Sequence, residues 1–302
     1  MAGPVVLAGG TGGAKLARGM LDIAGDDLTV IVNTADDIEI YGAYVSPDPD
    51  LVTFWLADRI DERGWGLRDD TFAVMDGLRE LGVDVWFSLG DRDLAIGIER
   101  ARRLADGARL TDTLADLGAS LGVAARVLPM TDEPVRTWVQ CRAHWTPFQE
   151  FMIRDGAAGP IENTELRGLG KARPTPEIFA ALAAASAIII GPSNPVISIG
   201  PILRVPKMRR ALLDSPAPIV AVSPIVGGAV LKGPTDAFLR WAGHDADNAA
   251  IAACYAGLID GLVADGAVDG LPVLQTDTLM TDAASRSRLA GETLRFAEGL
   301  AA

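Results

Sequence analysis

The chain has 302 residues, and 27 Lys and Arg residues against 40 Asp and Glu residues give a formal net charge of −13 at pH 7. This acidic balance excludes sequence-independent nucleic-acid binding and a polybasic membrane anchor, because both need a basic surface. A local basic pocket for an acidic small molecule remains compatible with it. The hydrophobic content of 49% and the charged content of 22% are typical of a folded globular protein.

The few cysteine and histidine residues limit the available chemistry. Cys141 and Cys254 cannot form a disulfide framework, and with His144 and His244 they lack the spacing of a zinc site. The N-terminus lacks the charged region of a signal peptide, and no apolar run reaches the roughly 20 residues that span a bilayer. We therefore expect a soluble cytoplasmic protein that binds neither nucleic acid nor a membrane.

Apolar runs that end in turn residues alternate with helical patterns along the chain. The first run ends in glycines, and a helical stretch follows from Gly12 to about Ala24. Continuous apolar strands separated by helices are typical of a parallel sheet that is covered on both faces. The pattern predicts an α/β protein with a Rossmann-like, doubly wound, mostly parallel sheet. Its predicted strands are residues 4–8, 28–32, 85–89, 187–190, 218–222 and 271–274.

Two stretches interrupt this alternation. Residues 51–122 are largely helical around a single predicted strand, which indicates a smaller, largely helical lobe at the sheet edge. Residues 136–154 carry several aromatic side chains, including Trp138 and Trp145, and predict a β-excursion. Since no Ser- or Gly-rich linker separates two halves, residues 1–302 are predicted to form a single domain.

A glycine-rich turn follows the first strand. Glycines permit positive φ angles and let backbone N–H groups approach an anion at a helix N-terminus. The spacing matches neither a Walker loop nor the dinucleotide fingerprint. A tight turn without a ligand is the alternative, but four glycines exceed what one turn requires, which favours contact with phosphate or a nucleotide. The candidate residues are Gly9, Gly10, Thr11, Gly12, Gly13 and Lys15.

Four acidic residues follow the second strand, near its predicted carboxyl end, where ligands bind in such sheets. They are Asp36, Asp37, Asp48 and Asp50. Carboxylates at this density suit Mg²⁺, which takes one or two protein carboxylates together with substrate phosphate and water. A helix N-cap and a solvated turn are the alternative, because Asp and Pro are common in both. The expected proximity of the glycine turn favours the metal site.

Three further turns carry polar residues whose role the sequence leaves open. Asp91–Asp93 either binds a polyol or phosphate, or forms a salt-bridged surface turn. Ser193 and Asn194 lie between two prolines, in either a nucleotide-binding loop or a rigid turn. Lys232 either neutralises a diphosphate or is a surface lysine, and the local sequence favours the surface lysine.

Taken in order, these motifs resemble those of one family, the 2-phospho-L-lactate transferases of coenzyme F420 biosynthesis. Any single motif is weak, but the ordered set is specific, and it extends from the N-terminus to about Pro234. The motifs are Gly9-Gly10-Thr11-Gly12-Gly13-Ala14-Lys15-Leu16, Asn33-Thr34-Ala35-Asp36-Asp37, Pro47-Asp48-Pro49-Asp50, Gly64-Trp65-Gly66, Leu89-Gly90-Asp91-Arg92-Asp93, Gly191-Pro192-Ser193-Asn194-Pro195 and Ser223-Pro224-Ile225-Val226-Gly227-Gly228.

The resemblance implies a reaction and its participants. The acceptor would be Fo, a deazaflavin with a ribityl chain, and the donor a guanylyl diphosphate that carries a lactyl, enolpyruvyl or glyceryl acid. The terminal ribityl hydroxyl would attack the phosphorus that bears the acid. GMP would leave, and the product would be F420-0 or a variant such as dehydro-F420-0. The family depends on Mg²⁺, has a Rossmann-like core and tends to form homodimers.

The resemblance also implies roles for the acidic residues. Asp37 and Asp50 are the first choices for catalysis and for binding Mg²⁺, with Asp36 and Asp48 as second choices. Asp37 is also a candidate base for the ribityl hydroxyl.

The substrate contacts implied by the resemblance come from several segments. The donor would contact the glycine turn together with Ser193, Asn194 and Lys232, and the acceptor would contact Asp36, Asp91, Arg92 and Asp93. Trp65, Trp86 and Trp138 are candidates for stacking on the deazaflavin, although each is equally suited to the core.

Two residues depart from the family pattern, because Pro49 stands where Leu is usual and Ser46 where Cys is usual. A related branch of nucleotide-sugar-binding regulators shares the opening glycines and is the alternative class. That branch has a Gly- and Ser-rich run after its paired aspartates, whereas Ile38-Glu39-Ile40 follows here and favours the transferase. An NAD-dependent oxidoreductase is the weakest hypothesis, because the required glycine register is missing.

Overall fold

The computed structural model describes residues 3–230 and 233–301. Its strands are β1 (Val5–Ala8), β2 (Thr29–Val32), β3 (Ile38–Ile40), β4 (Ala43–Val45), β5 (Arg126–Pro129), β6 (Arg136–Cys141), β7 (His144–Pro147), β8 (Asn163–Arg167), β9 (Ile188–Ile190), β10 (Ile219–Val222), β11 (Ile225–Val226), β12 (Ala229–Val230), β13 (Gly261–Ala264) and β14 (Val273–Gln275). Its α-helices are α1 (Gly10–Ala24), α2 (Pro47–Leu56), α3 (Ala73–Glu80), α4 (Asp91–Ala105), α5 (Leu110–Ser120), α6 (Pro176–Ala183), α7 (Ile199–Arg204), α8 (Met208–Leu213), α9 (Thr235–Trp241), α10 (Asn248–Cys254) and α11 (Ala283–Leu300).

A parallel sheet of seven strands, in the order β14-β13-β10-β9-β1-β2-β5, forms the centre of the molecule. Leu7 of β1 pairs with Ile31 of β2 on one side and with Ile190 of β9 on the other. The chain adds strands outward from β1 toward β5 and then returns to place β9 on the opposite side. The predicted Rossmann-like, doubly wound fold is therefore confirmed, with its topological switch point between β1 and β9.

Both faces of this sheet are buried under helices. Alternate residues of β1 point to opposite sides, so Val5 and Leu7 lie in one apolar cluster and Val6 and Ala8 in the other. Helices α1, α2 and α11 cover the Val6 side, while α6, α7 and α8 contribute side chains to the Leu7 side. Strands that are covered on both faces read as continuous apolar runs, which explains why the sequence revealed them.

The predicted strands agree with the structure in most but not all places. Residues 4–8, 28–32, 187–190 and 218–222 contain β1, β2, β9 and β10, and residues 271–274 overlap β14. The prediction of a strand at residues 85–89 is wrong, because this segment has no strand pairing and Leu89 packs instead with Met75 and Leu94. An apolar run reports burial, and burial alone does not distinguish a strand from a packed loop.

Two short strands of the main sheet, β5 at its edge and β13 within it, escaped the sequence analysis. β5 begins with the exposed residue Arg126 and ends with Pro129, so its apolar run is only two residues long. β13 has four residues and begins with Gly261, and glycine is disfavoured in strands. Both pair fully in register with their neighbours, because parallel pairing is decided by the whole sheet and not by local propensity.

The helical lobe consists of α3, α4 and α5 and packs on the β3–β4 hairpin. Gly97 of α4 lies so close to β4 that an added Cβ would approach the Cβ of Ala43 to 3.0 Å. Residues 51–122 are largely helical, as predicted, but the strand predicted at residues 85–89 does not form. The assignment of residues 1–302 to a single domain stays a prediction.

The β-excursion predicted at residues 136–154 forms β6 and β7 and ends in a π-helical turn over Glu150–Arg154. β8 joins β6 on its other side and completes a three-stranded antiparallel sheet. Phe148 and Phe151 pack against Phe238 of α9 and connect this small sheet to the main body. Within residues 3–230 and 233–301, none of the helices has the length and apolar character needed to cross a membrane.

The close contact between α1 and the loop after β9 gives a test of the packing. We expect Gly12→Ala to lower the free energy of unfolding by about 1 to 3 kcal/mol, because the new Cβ would lie 2.0 Å from the carbonyl oxygen of Pro192. Thermal denaturation measures the effect. Gly77→Ala is the matched control, since nothing lies within 4 Å of a Cβ there, and it should leave stability unchanged or raise it. Equal melting temperatures for Gly12→Ala and the natural chain would contradict the packing.

Candidate functional site

A cavity of about 890 Å³ opens at the carboxyl ends of β1 and β9, at the switch point of the sheet. Ligands of doubly wound proteins usually bind at this place. Its polar side is formed by the start of α1, the acids after β2 and the loop after β9, and its other side is mostly apolar. The lining residues include Gly9, Gly10, Thr11, Gly12, Lys15, Asp36, Asp48, Trp65, Phe148, Gln149, Met152, Ile153, Ser193, Asn194, Ile197, Thr278, Leu279, Met280 and Thr281.

Glycine is required at the positions of the first turn for different structural reasons. Gly10 adopts a φ of +64°, a left-handed conformation that favours glycine. Gly12 and Gly13 instead permit close packing, because added Cβ atoms would lie 2.0 Å from the Pro192 oxygen and 2.7 Å from the Ser193 hydroxyl. Close packing of α1 on the β9 loop therefore accounts for two of the glycines that the sequence analysis attributed to phosphate.

The N-terminus of α1 faces this cavity with little side-chain capping. Gly9 occupies the N-cap position, where it has no side chain to offer. The Gly10 N–H donates to Asp48 Oδ1 at 2.7 Å, and the Gly9 N–H donates to the Ser193 hydroxyl at 3.4 Å. The first N–H groups of a helix lack partners within the helix and carry the positive end of its dipole, so this end attracts anions.

Two acids of the predicted set, Asp36 and Asp48, line the cavity and lie beside each other. Both are buried, and Asn33 Nδ2 donates at 3.0 Å to Asp36 Oδ2 and at 3.0 Å to Asp48 Oδ2. Burial and the charge of Asp48 raise the pKa of Asp36 well above its usual value. Burial also raises the pKa of Asp48 to about 6, against the opposing hydrogen bonds from Gly10 and Asn33.

Asp37, a first choice from the sequence, does not line this cavity. Its Oδ1 accepts a hydrogen bond from the Ser46 hydroxyl at 2.7 Å, and Arg136 and Arg100 are close enough to act on its charge. Burial raises the pKa of Asp37 to about 7, and the two arginines oppose that rise. The geometry therefore favours Asp36 over Asp37 as the residue that meets a ligand.

Asp50, the other first choice, is held in a buried ion pair. Both of its carboxylate oxygens accept hydrogen bonds from the guanidinium of Arg100 on α4, one of them at 3.0 Å, and Arg100 also donates to the Tyr44 carbonyl at 2.8 Å. Arg100 is only 1% exposed. Both oxygens of Asp50 thus have a cationic partner in this structure, and Asp50 as a metal ligand stays a prediction.

Asp91, Arg92 and Asp93 lie away from the cavity, at the start of α4. Asp91 accepts from the N–H groups of Ala73 and Val74 and from the Thr71 hydroxyl, and it thereby caps α3. Asp70 in turn accepts from the N–H groups of Arg92 and Asp93 at the start of α4. This reciprocal capping uses the carboxylates of Asp91 and Asp70 within the lobe, and the contact of Asp91, Arg92 and Asp93 with the acceptor stays a prediction.

Asp93 also belongs to the buried charges of the lobe. Burial raises the pKa of Asp93 to about 7, and the charge of Asp50 adds to that rise while Arg100 opposes it. The cluster of Asp50, Asp93 and Arg100 therefore lies between α2 and α4 and connects the lobe to the main body.

The loop after β9 presents the predicted residues Ser193 and Asn194 to the cavity. Asn194 Oδ1 accepts from the N–H groups of Val196 and Ile197, at 2.9 and 3.2 Å, which fixes the orientation of the amide. Asn194 Nδ2 is buried and makes no hydrogen bond within the described part of the chain. An oriented amide with an unused donor is suited to an acceptor oxygen of a ligand.

Of the two lysines predicted to contact the donor, the structure describes Lys15 but not Lys232. Lys15 lines the cavity, and its Nζ donates to the Met280 carbonyl at 3.0 Å. This contact ties α1 to the segment between β14 and α11. Lys232 lies outside the described residues.

Several residues in or next to the cavity received no individual role in the sequence analysis. Asn33 immediately follows β2, a position that the strand-end rule could have marked. Thr278–Thr281 follows β14 in the same way, whereas Gln149 carried no signal and donates to the Asp36 carbonyl at 3.1 Å. Of the three tryptophans, only Trp65 lines the cavity, because Trp86 packs with Phe87 and Trp138 lies against Arg167.

The donor set of this site fits Mg²⁺ only in a limited way. Within residues 3–230 and 233–301, three or more His, Cys, Asp or Glu side chains are nowhere grouped as metal ligands. Asp36 and Asp48 nevertheless form a buried acidic pair, and Asp36 Oδ1 makes no hydrogen bond to the described residues. Since Mg²⁺ commonly takes one or two carboxylates and completes its shell with water and substrate phosphate, the pair fits this ion.

Comparison with known proteins places this site in a family of transferases. A family model described as "2-phospho-L-lactate transferase CofD" matches residues 5–284. The chain is 36% identical to a 2-phospho-L-lactate transferase of Methanosarcina mazei, over 95% of this chain and 97% of that protein. It is 39% identical to a phosphoenolpyruvate transferase of Kitasatospora aureofaciens, over 97% of each chain. The chain belongs to the 2-phospho-L-lactate transferase family.

A solved structure shares the fold. A protein member of the UPF0052 family from Bacillus halodurans superimposes with a TM-score of 0.63 and 17% sequence identity. The match covers 98% of this chain and 99% of that chain. The likeness supports the α/β architecture described above.

The ion pair between Asp50 and Arg100 allows a test of whether Asp50 has a structural role or binds the metal. We expect Asp50→Asn to lower the free energy of unfolding by about 3 to 5 kcal/mol, because the buried Arg100 would lose the carboxylate that its guanidinium is hydrogen-bonded to. Denaturant unfolding with EDTA and with Mg²⁺ measures the loss. The loss should be the same in both conditions, and a loss seen only with Mg²⁺ would restore Asp50 as a metal ligand.

The raised pKa of Asp48 predicts a pH-dependent stability. The folded chain holds the Asp48 proton more tightly than the unfolded chain, since the pKa rises from 3.8 to about 6 on folding. The natural chain therefore loses stability relative to Asp48→Asn as the pH rises from about 4 to about 6. Thermal denaturation in EDTA should show a difference in melting temperature that grows over this range and is constant above it. A difference that is independent of pH would argue against the buried carboxyl.

Proposed function

We propose that the chain transfers a phosphorylated three-carbon acid from a guanylyl diphosphate donor to the deazaflavin Fo in coenzyme F420 biosynthesis. The product would be F420-0 or a variant such as dehydro-F420-0, with GMP as the second product. Membership of the transferase family supports the reaction class. The single observation that carries the proposal is the acidic pair Asp36–Asp48 beside the start of α1, which lines the same cavity.

The chemistry of this class requires positioning and charge neutralisation more than a protein nucleophile. The terminal ribityl oxygen would form a bond to the phosphorus that bears the acid, and the bond between that phosphorus and the oxygen of GMP would break. The proton of the hydroxyl needs an acceptor. Asp36 is suited to this role, since it lines the cavity and its Oδ1 makes no hydrogen bond within the described residues.

The polar side of the cavity is suited to the donor. The N–H groups at the start of α1 would bind phosphate oxygens, and the Asn194 amide would donate to a further acceptor on the nucleotide. Asp36 and Asp48 would hold Mg²⁺, which supplies charge neutralisation for the diphosphate when bound. We assign the metal to this pair because Asp50 is bound to Arg100.

The apolar side of the cavity is suited to the flat acceptor. Phe148, Met152 and Ile153 form one wall, and the half-exposed Trp65 lies at its margin. Trp65 stands between Gly64 and Gly66, both of which have positive φ, and Arg63 lies 4.3 Å from its ring. An aromatic ring in this position could stack on a tricyclic deazaflavin.

We also propose that the enzyme acts in the cytoplasm as a homodimer.

Incubation with Fo, Mg²⁺ and each of the three donors tests the proposed reaction. We expect one donor to give the phosphodiester product by mass spectrometry, and EDTA to abolish its formation. Asp48→Asn should slow the reaction by about 100-fold or more, because one of the two carboxylates proposed to hold Mg²⁺ at the diphosphate is lost. Asp214→Asn is the control, since Asp214 is an exposed acid paired with Arg210 on α8, and it should retain full activity.

Two outcomes would contradict the proposed function. One is the absence of product with all three donors, and the other is full activity of Asp48→Asn. Calorimetric binding of UDP-sugars without binding of Fo would instead favour the nucleotide-sugar-binding regulator.

A further inference from the structure

Asn33 connects the two acids of the site. It directly follows β2, is fully buried, and its N–H donates at 3.1 Å to the Ala8 carbonyl at the end of β1. The backbone of Asn33 is therefore an extension of the central pairing, next to the glycine turn. Asp36 and Asp48 come from two separate segments, the loop after β2 and the first turn of α2.

All hydrogen-bonding groups of the Asn33 side chain have partners. Oδ1 accepts from the Ala35 N–H at 2.9 Å, which fixes the plane of the amide and turns Nδ2 toward the acids. Nδ2 has two hydrogens, and it donates to Asp36 Oδ2 and Asp48 Oδ2 at 3.0 Å each. The Gly10 N–H holds the other oxygen of Asp48 at 2.7 Å, and the other oxygen of Asp36 makes no hydrogen bond within the described residues.

The Asn33 side chain that joins the two acids is a neutral amide, and its lack of charge matters for binding a cation. Two carboxylates in a buried place repel each other and are costly to hold without partners. A lysine or arginine between them would neutralise the charge that attracts a cation, as Arg100 does at Asp50. An amide supplies two hydrogen bonds and no charge, so it holds the pair together and leaves its negative charge available.

We propose that Asn33 is a positioning residue that sets the Asp36–Asp48 pair to bind a divalent cation. The inference rests on the metal site of the proposed function, but not on the identity of the substrates. Partners that orient metal ligands through hydrogen bonds typically contribute 10- to 100-fold to metal affinity. Loss of the amide should therefore weaken the binding of the cation even where the chain remains folded.

Binding of Mn²⁺ to the full chain, followed by the electron paramagnetic resonance signal of the free ion, tests the inference without substrates. We expect Asn33→Ala to raise the dissociation constant about 10-fold or more. Asn33→Ser is the second variant, because its hydroxyl can still accept from the Ala35 N–H but is too short to join both acids. It should fold and show a similar loss of Mn²⁺ affinity.

Asn248→Ala provides a matched control. The Asn248 amide also donates to a carboxylate, that of Asp265 at 2.9 Å, and accepts from the Ser223 hydroxyl at 2.6 Å. Its loss removes the same kinds of hydrogen bond away from the acidic pair, and Mn²⁺ affinity should be unchanged. Melting temperatures of all variants, with and without Mn²⁺, separate loss of folding from loss of binding.

The outcomes distinguish this inference from the proposed reaction. Unchanged Mn²⁺ affinity in a folded Asn33→Ser chain would overturn it and leave Asn33 a purely structural residue. Failure of the natural chain to bind Mn²⁺ would overturn it as well. If the natural chain binds Mn²⁺, the Asn33 variants bind it weakly and no donor gives product with Fo, the positioning role stands and the proposed reaction fails.

Discussion

The site depends on the burial of two like charges at the switch point of the sheet. Asp36 and Asp48 can remain there because the α1 N-terminus and one neutral amide supply hydrogen bonds to them. These bonds stabilise the carboxylates only in part, since the pKa of each is still raised. A cation would supply the remaining stabilisation, and the same place offers the start of α1 to an anion. In the proposed function, the cation and the diphosphate of the donor would therefore both bind at this point of the fold.

The four acids that follow β2 divide into two pairs by their partners. Asp50 binds the Arg100 guanidinium, and Asp37 lies within reach of Arg136 and Arg100, so protein cations already act on both. Asp36 and Asp48 have an amide and a backbone N–H in place of a cation. Breaking a buried ion pair is costly, so the first pair is suited to holding α2 against α4 of the lobe. The second pair is suited to a ligand that binds and leaves.

The sequence was sufficient for the fold and for the region of the site, but not for the roles within it. The apolar runs of β1, β2, β9 and β10 placed the glycine turn, the acids and Ser193 at one sheet edge, because parallel strands end together. Ranking Asp36 and Asp48 above Asp37 and Asp50 required knowing that Arg100, some 50 residues later in the chain, would pair with Asp50. Spacing along the sequence carries no information about such partners. The capping role of Asp91 was hidden for the same reason, since Thr71 and the start of α3 lie about 20 residues earlier.

The cavity joins chemically different walls that come from distant parts of the chain. Its polar side is built on strand ends, where neighbouring elements fix every backbone position, while Phe148, Met152 and Ile153 come from the π-helical turn and the loop before it. The segment around Met280, which also lines the cavity, is joined to α1 by the hydrogen bond from Lys15 Nζ to the Met280 carbonyl. A polar floor and an apolar wall within one cavity suit a pair of substrates of which one is a charged diphosphate and the other a flat ring. In the proposed reaction the diphosphate would lie on the polar side, where Asp36, Asp48 and the start of α1 would hold the reacting phosphorus in position.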